Sequence, residues 1–228
     1  MTKKRYVFDG ISLNVDSTES DAIARAEAKL RRAGVKCSSL ELTVCKKSVD
    51  ARKKEDIRIV SSVIFSPAEL SDKDEKKLAS IGARAIEEES LEIRHGEERM
   101  TARPLVVGMG PAGMFCELIL DEQGYRPIII DRGDPVNERA AAVERFYKTH
   151  VLDTESNIQF GAGGAGTFSD GKLLTRINDP KCAYVLDMLA KFGAPEEIRV
   201  KAKPHVGTDV LRQVVDNVLC EIDRKSVV

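Results

Sequence analysis

The sequence predicts an α/β protein in two parts, a small α+β unit over residues 1–100 and a unit with parallel strands over 101–228. Three observations carry this. The apolar run Leu105-Val106-Val107 passes straight into Gly108-Met109-Gly110-Pro111-Ala112-Gly113, three glycines in the spacing G-x-G-x-x-G. After a helical stretch, Pro127-Ile128-Ile129-Ile130 supplies a second buried strand that closes on Asp131. Before residue 100, alternating and helical apolar patterns follow one another in the order β-α-β-β-α-β, that of a ferredoxin-like split βαβ.

The first two observations form a dinucleotide-binding βαβ unit, the opening of a Rossmann-like, doubly wound sheet. Each glycine has a separate task. Gly108 allows the sharp turn, Gly110 lets the backbone approach a pyrophosphate, and Gly113 lets helix and strand pack closely. Free N–H groups and the positive end of the helix dipole then face the phosphates. Met114, Phe115, Leu118, Ile119 and Leu120 mark the helix, and Gly124 ends it. Asp131 follows the first glycine by 23 residues, close to the spacing of about 20 expected of the acid that binds ribose hydroxyls. Glu117 stands where this helix usually carries a small residue facing the sheet, so it must snorkel or find a partner.

In the first part, Ile11, Leu13 and Val15 alternate as a half-buried strand. Thr18 and Asp21 form a capping box for a helix with Ile23, Ala26, Leu30 and Ala33 on one face, and Gly34 is placed to end it. Leu40, Leu42 and Val44 alternate again, and residues 57–65 form a long β-prone run. Ser71 can cap a second helix carrying Leu78, Ile81 and Ala85, and Leu91-Glu92-Ile93 is the expected last strand. The basic stretch Lys46–Lys54 reads as a solvated hairpin loop, with an anion or RNA patch as the other reading. Residues 1–100 hold 20 Lys+Arg against 19 Asp+Glu, and the stacking aromatics of an RNA-binding sheet are missing. Nucleic acid is therefore not an expected partner. The polar stretch Glu87-Glu88-Glu89 and His95–Arg99 leads to the boundary near residue 101.

Past Asp131, Gly133-Asp134-Pro135 turns into a helix marked by Val136, Ala140, Val143 and Phe146. Then Phe160-Gly161-Ala162-Gly163-Gly164-Ala165-Gly166-Thr167-Phe168-Ser169-Asp170-Gly171-Lys172-Leu173 packs five glycines among Thr, Ser, Asp and Lys. Phe160, Phe168 and Leu173 should anchor this loop in a core, and its glycines permit close approach to a flat or phosphorylated ligand. It is no Walker loop, because Leu173 follows Gly171-Lys172. Asp179-Pro180 caps the next helix, with Tyr184, Leu186, Leu189 and Phe192 on one face and Gly193 at its end. Residues 197–200 read as a short strand. His205 is read as a turn histidine or a ligand contact, ahead of a final helix marked by Leu211, Val214, Val215 and Val218.

Bulk properties bound the function. The chain has 228 residues, 42% hydrophobic and 32% charged, with a net charge of −1, so nothing draws it to nucleic acid or an anionic membrane. Cys37, Cys45, Cys116, Cys182 and Cys220 are scattered without a C-x-x-C, against a zinc site or a dithiol centre. No metal is expected. Reduced thiols in odd number, no apolar leader and no membrane-spanning stretch point to the cytoplasm.

The motif Gly108–Gly113, Asp131-Arg132-Gly133, the run Asn157–Arg176, and Pro204-His205-Val206-Gly207-Thr208-Asp209 resemble the bacterial NAD(P)/FAD-dependent oxidoreductases, a family of uncharacterised FAD-dependent dehydrogenases. Lys47–Lys53 is similar to the accessory domain those proteins carry. The resemblance implies FAD as cofactor and NAD(P)H as co-substrate, with hydride passing through the flavin to an unidentified acceptor. It implies that Gly108, Gly110, Pro111, Ala112 and Gly113 hold the pyrophosphate. Asp131 would then bind the adenosine ribose, with Arg132 and Gly133 beside it. Gly163, Gly164, Ala165, Gly166, Thr167, Ser169, Asp170, Gly171 and Lys172 would line the inner flavin or its phosphates. Ala162 departs from the family's usual Glu, and no catalytic acid or base is indicated. Family members continue well beyond this length, so the chain is expected to be an N-terminal fragment, inactive alone. Two other readings stay open. One is a flavin-free NAD(P) enzyme with Arg132 facing a 2′-phosphate. The other is a nucleotide-sensing module whose first domain binds RNA or a protein.

Overall fold

The computed structural model describes residues 4–35, 40–67, 70–87, 91–175, 177, 179 and 181–225. Cys37, Glu88, Glu89, Arg176 and Pro180 lie outside the described residues. Contacts divide the chain into two units, Met1–Leu91 with Arg199–Pro204, and Glu92–Ile198 with His205–Val228. An antiparallel sheet belongs to the first and a small parallel pair to the second, so the protein is of mixed α/β class.

The first unit runs β1 (Arg5–Asn14), α1 (Glu19–Arg32), β2 (Leu42–Asp50), β3 (Arg58–Phe65), α2 (Asp72–Ser80) and β4 (Ala83–Ile86). The sheet order is β2-β3-β1-β4, with every neighbouring pair antiparallel. In β1 one extra residue is inserted between Phe8 and Ile11, where Gly10 takes φ +69°. That bulge reverses the side-chain alternation, so Tyr6 and Phe8 before it and Ile11 and Leu13 after it all join one core. Val15, expected in this strand, lies beyond its end and is exposed. Ala22, Ala26 and Leu30 of α1 and Leu78 of α2 complete the core.

Both caps form as the sequence indicates. The Asp21 carboxylate accepts the Thr18 backbone N–H at 2.8 Å, and the Ser71 hydroxyl accepts the Asp74 N–H at 3.2 Å. Ser71→Ala is expected to cost about 1 kcal/mol, as loss of an N-cap does, read as a lowered midpoint in thermal unfolding of the first unit.

Three local expectations are corrected. The last strand is β4 at 83–86, formed where Gly82 (φ +81°) turns the chain straight out of α2, and residues 91–93 form no strand. Ala85 is accordingly a strand residue. Lys46–Asp50 belongs to β2, leaving only the following residues to the hairpin turn. Residues 196–199 form a 3-10 helix instead of a strand. The segment after it lies along the edge of β2, where the Lys47 N–H donates to the Val200 carbonyl at 2.6 Å and the Ala202 N–H to the Lys47 carbonyl at 2.9 Å.

The second unit runs β5 (Leu105–Val107), α3 (Pro111–Glu122), β6 (Ile128–Ile130), α4 (Val136–Thr149), a 3-10 helix (Ala165–Phe168), α5 (Lys181–Lys191) and α6 (Thr208–Lys225). Strands β5 and β6 pair in parallel, with Val106 opposite Ile129. Those two side chains face a core with Met114, Leu118, Val215 and Val218. Their neighbours face the other way: Leu105, Val107 and Ile130 are 58%, 76% and 47% exposed. Among the described residues, no helix is long and apolar enough to cross a membrane.

Candidate functional site

The site grows from the ends of β5 and β6. Gly108 leaves β5 at φ +100°, and its N–H donates to the Ile130 carbonyl at 2.7 Å, prolonging the strand pair by one bond. Gly110 is the N-cap of α3 and Pro111 its first residue. A proline there costs nothing, since its missing N–H would have had no intrahelical partner. A β-carbon built on Gly108 or Gly110 meets no atom within 4 Å, whereas one on Gly113 would lie 1.8 Å from the Gly108 carbonyl oxygen. Two glycines thus keep space open, and the third closes helix against turn.

Asp131 ties the two strand ends together. Its carboxylate accepts the Met109 N–H at 2.6 Å and the Gly133 N–H at 2.8 Å, one on each oxygen. A carboxylate offers about four acceptor positions, so about two remain for a further donor. Arg132 beside it makes two bonds to Glu155, Nε to Oε2 at 3.1 Å and Nη2 to Oε1 at 3.0 Å. Its guanidinium also lies 4.5 Å from the centre of the Phe160 ring. The bond from Arg132 holds the Glu155 carboxyl below its ordinary range.

A cavity of about 400 Å³ opens at this point, lined by Gly108, Gly110, Asp131, Arg132 and Gly164, with Val107, Ile130, Gln159, Phe160 and Gly161. The glycine-rich loop enters its wall by direct contact with the first motif. The Gly163 N–H donates to the Met109 carbonyl at 2.8 Å. A β-carbon on Gly164 would stand 2.9 Å from Pro111 Cδ, and one on Gly133 would stand 2.6 Å from Gly161 Cα.

The remaining predicted residues lie off this wall. Ala112 is exposed in the first turn of α3, and Ala165 and Gly166 are exposed in the 3-10 helix. Pro111, Gly163 and Gly166 line a separate apolar cavity with side chains of α3, α5 and α6. Thr167 is buried, and its hydroxyl has no hydrogen-bond partner among the described residues. The Ser169 hydroxyl donates to the Gly166 carbonyl at 2.8 Å. Asp170 and Lys172 form an exposed ion pair of 2.6 Å. Gly171 packs where a β-carbon would lie 2.5 Å from the Gly207 N. His205 is exposed and pairs with Lys172 through the backbone. Of the expected anchors, Phe160 is instead 38% exposed, because its ring serves Arg132.

Sequence reasoning passed over Arg139. It is fully buried on α4, and in place of a carboxylate it binds backbone carbonyls: Nε to Asn157 at 2.7 Å, Nη2 to Ile158 at 2.6 Å, and Nη1 to Ala162 at 2.6 Å and Gly161 at 3.4 Å. Burial pushes its pKa down from the ordinary arginine value. Phe168 lies between it and Arg212, with guanidinium-to-ring distances of 4.7 and 4.8 Å. The signal was available: Arg139 sits in step with Val136 and Val143 on the inner face of the helix. Glu117 is also fully buried and is engaged by a neighbour, so it does not snorkel.

An uncharacterized protein of Clostridium beijerinckii (strain ATCC 51743 / NCIMB 8052) is 50% identical over 187 residues, covering 80% of this chain and 34% of the relative. The chain thus spans about a third of the length of the curated relative it matches. No family model matches the chain.

Proposed function

We propose that the second unit binds the adenosine diphosphate half of FAD, as part of an FAD-dependent oxidoreductase that moves hydride between NAD(P)H and an acceptor. The observation that carries this reading is the division of labour among the three glycines. Gly108 and Gly110 leave room at the start of α3, where first-turn amides and the helix dipole favour phosphate, and Gly113 allows the close packing that aims them. Asp131 lines the same cavity, bonded to the Met109 N–H of the glycine turn, with acceptor capacity left for a ribose hydroxyl. The flavin, when bound, supplies the hydride chemistry. The residues of this chain bind and orient the nucleotide: backbone amides on the pyrophosphate, Asp131 on the ribose, and the loop around Gly164 against the phosphates.

Calorimetric titration of the 228-residue chain tests the reading. ADP is expected to bind, FAD to compete with it, and 2′-deoxy-ADP to bind more weakly by about 1.5–3 kcal/mol, the worth of a hydrogen bond to a charged group. Asp131→Ala should weaken ADP by a similar amount and erase the difference between the two nucleotides. Failure of ADP and FAD to bind at millimolar concentration would overturn the proposal.

A further inference from the structure

We infer that Glu155, through its hold on Arg132, restricts this site to nucleotides whose adenosine ribose carries a free 2′-hydroxyl. The inference rests on the reading of the cavity as an adenosine site. An arginine next to the ribose-binding acid is ordinarily the group that would accept a 2′-phosphate, because its planar fork matches the phosphate oxygens. Here that fork is already engaged. Nε and Nη2 carry the two bonds to Glu155, Nη2 also lies 3.4 Å from the Thr154 carbonyl, and the face of the guanidinium rests on Phe160. Among the described residues, Nη1 is the guanidinium nitrogen with no hydrogen bond.

Charge argues the same way. Asp131, Arg132 and Glu155 together sum to −1, so Glu155 removes the positive balance that Arg132, with the buried Arg139 also within electrostatic reach of Asp131, would otherwise give this corner. A phosphate on the 2′ oxygen brings nearly two more negative charges toward them. It would have to break the bidentate pair of Arg132 with Glu155 and lift the guanidinium from the Phe160 ring. A 2′-hydroxyl needs only the spare acceptor positions of Asp131. Glu155 is not among the cavity-lining residues, so its part is that of a positioning residue acting through Arg132.

The test compares ADP-ribose with 2′-phospho-ADP-ribose on the full 228-residue chain, for the unmodified protein, Glu155→Gln and Glu155→Gln/Arg132→Gln. The unmodified chain should bind ADP-ribose at least tenfold more tightly. Glu155→Gln should strengthen 2′-phospho-ADP-ribose tenfold or more while leaving ADP-ribose within about twofold, and the gain should shrink at high salt. The double variant should lose that gain, which assigns it to Arg132. Glu155 is exposed, and an unchanged melting temperature will establish that its variant folds. If Glu155→Gln weakens both nucleotides together, or leaves their ratio unchanged, the inference falls while the nucleotide site stands. If neither compound binds the unmodified chain, the proposed function falls with it.

Discussion

Gly113→Ala is expected to unfold the second unit. The added methyl would lie 1.8 Å from the Gly108 carbonyl oxygen and 3.0 Å from its carbonyl carbon. Both atoms belong to backbone that is itself bonded to Ile130, so no flexible side chain can move aside. Ordinary overpacking costs about 1–3 kcal/mol, and an overlap with fixed backbone should exceed that range. Since whole domains are stable by only about 5–15 kcal/mol, the loss is severe. Hydrogen exchange read by mass spectrometry should show amide protection lost across Leu105–Ile130 and retained in β1–β4. Gly110→Ala is the control: with no atom within 4 Å of the new methyl, it should keep protection and lose ADP binding. Intact protection in Gly113→Ala would remove the close packing on which the site is built.

Arg139→Met is the second large effect. The replacement preserves much of the aliphatic stem but withdraws the guanidinium donors from the carbonyls of Asn157, Ile158 and Ala162, and a longer bond from Gly161, which keeps the Gly164 N–H at 3.1 Å. Buried carbonyls left without donors each cost on the order of 1–3 kcal/mol, and loop relaxation into water will recover part of it. A net loss of about 3–5 kcal/mol is expected, in the range of other broken buried charge networks. Urea unfolding will measure it. Arg139→Lys should restore less than half, because a compact ammonium cannot span four carbonyls. ADP affinity should fall as well, since those carbonyls belong to the strand of chain that leads into Gly163 and Gly164.

The strand, turn, helix and parallel strand of β5, α3 and β6 were legible because each part is local. Strand, turn, helix start and terminal acid fall within a short stretch, and their backbone geometry follows from residue type. The order of elements in the first unit was legible for the same reason, through caps such as Ser71 and breakers such as Gly34. The positions of β1 and β4 were not. A bulge at Gly10 splits the alternation of β1 into two opposite parities, so the pattern from Ile11 onward conceals Tyr6 and Phe8. Strand β4 is a short run, ARAI, whose place beside β1 is fixed by long-range pairing of Tyr6 with Ala85. The loop residues were only half legible. Glycine content marks residues 161–171 as a place of close approach, but what is approached depends on partners distant in the chain. Gly171 meets Gly207, Gly161 meets Arg139, and Gly163 and Gly164 meet the turn around Met109 and Gly110. Arg132 shows the same limit. Its type fits a phosphate, yet the structure pairs it with Glu155, 23 residues on, a partner that spacing alone does not indicate.

The outward face of the parallel pair bears on how the protein behaves as a colloid. Strands of this kind are normally covered on both sides, yet Val107, Leu105 and Ile130 present adjacent aliphatic side chains to water. Copies of the chain meet with little to keep them apart, since a net charge of −1 supplies almost no mutual repulsion. Sulfate strengthens apolar association and will bring such surfaces together, whereas a single lysine in place of Val107 would add charge at the centre of the strip without entering the core. Val107 is therefore the residue through which the concentration at which this protein can be handled is best adjusted.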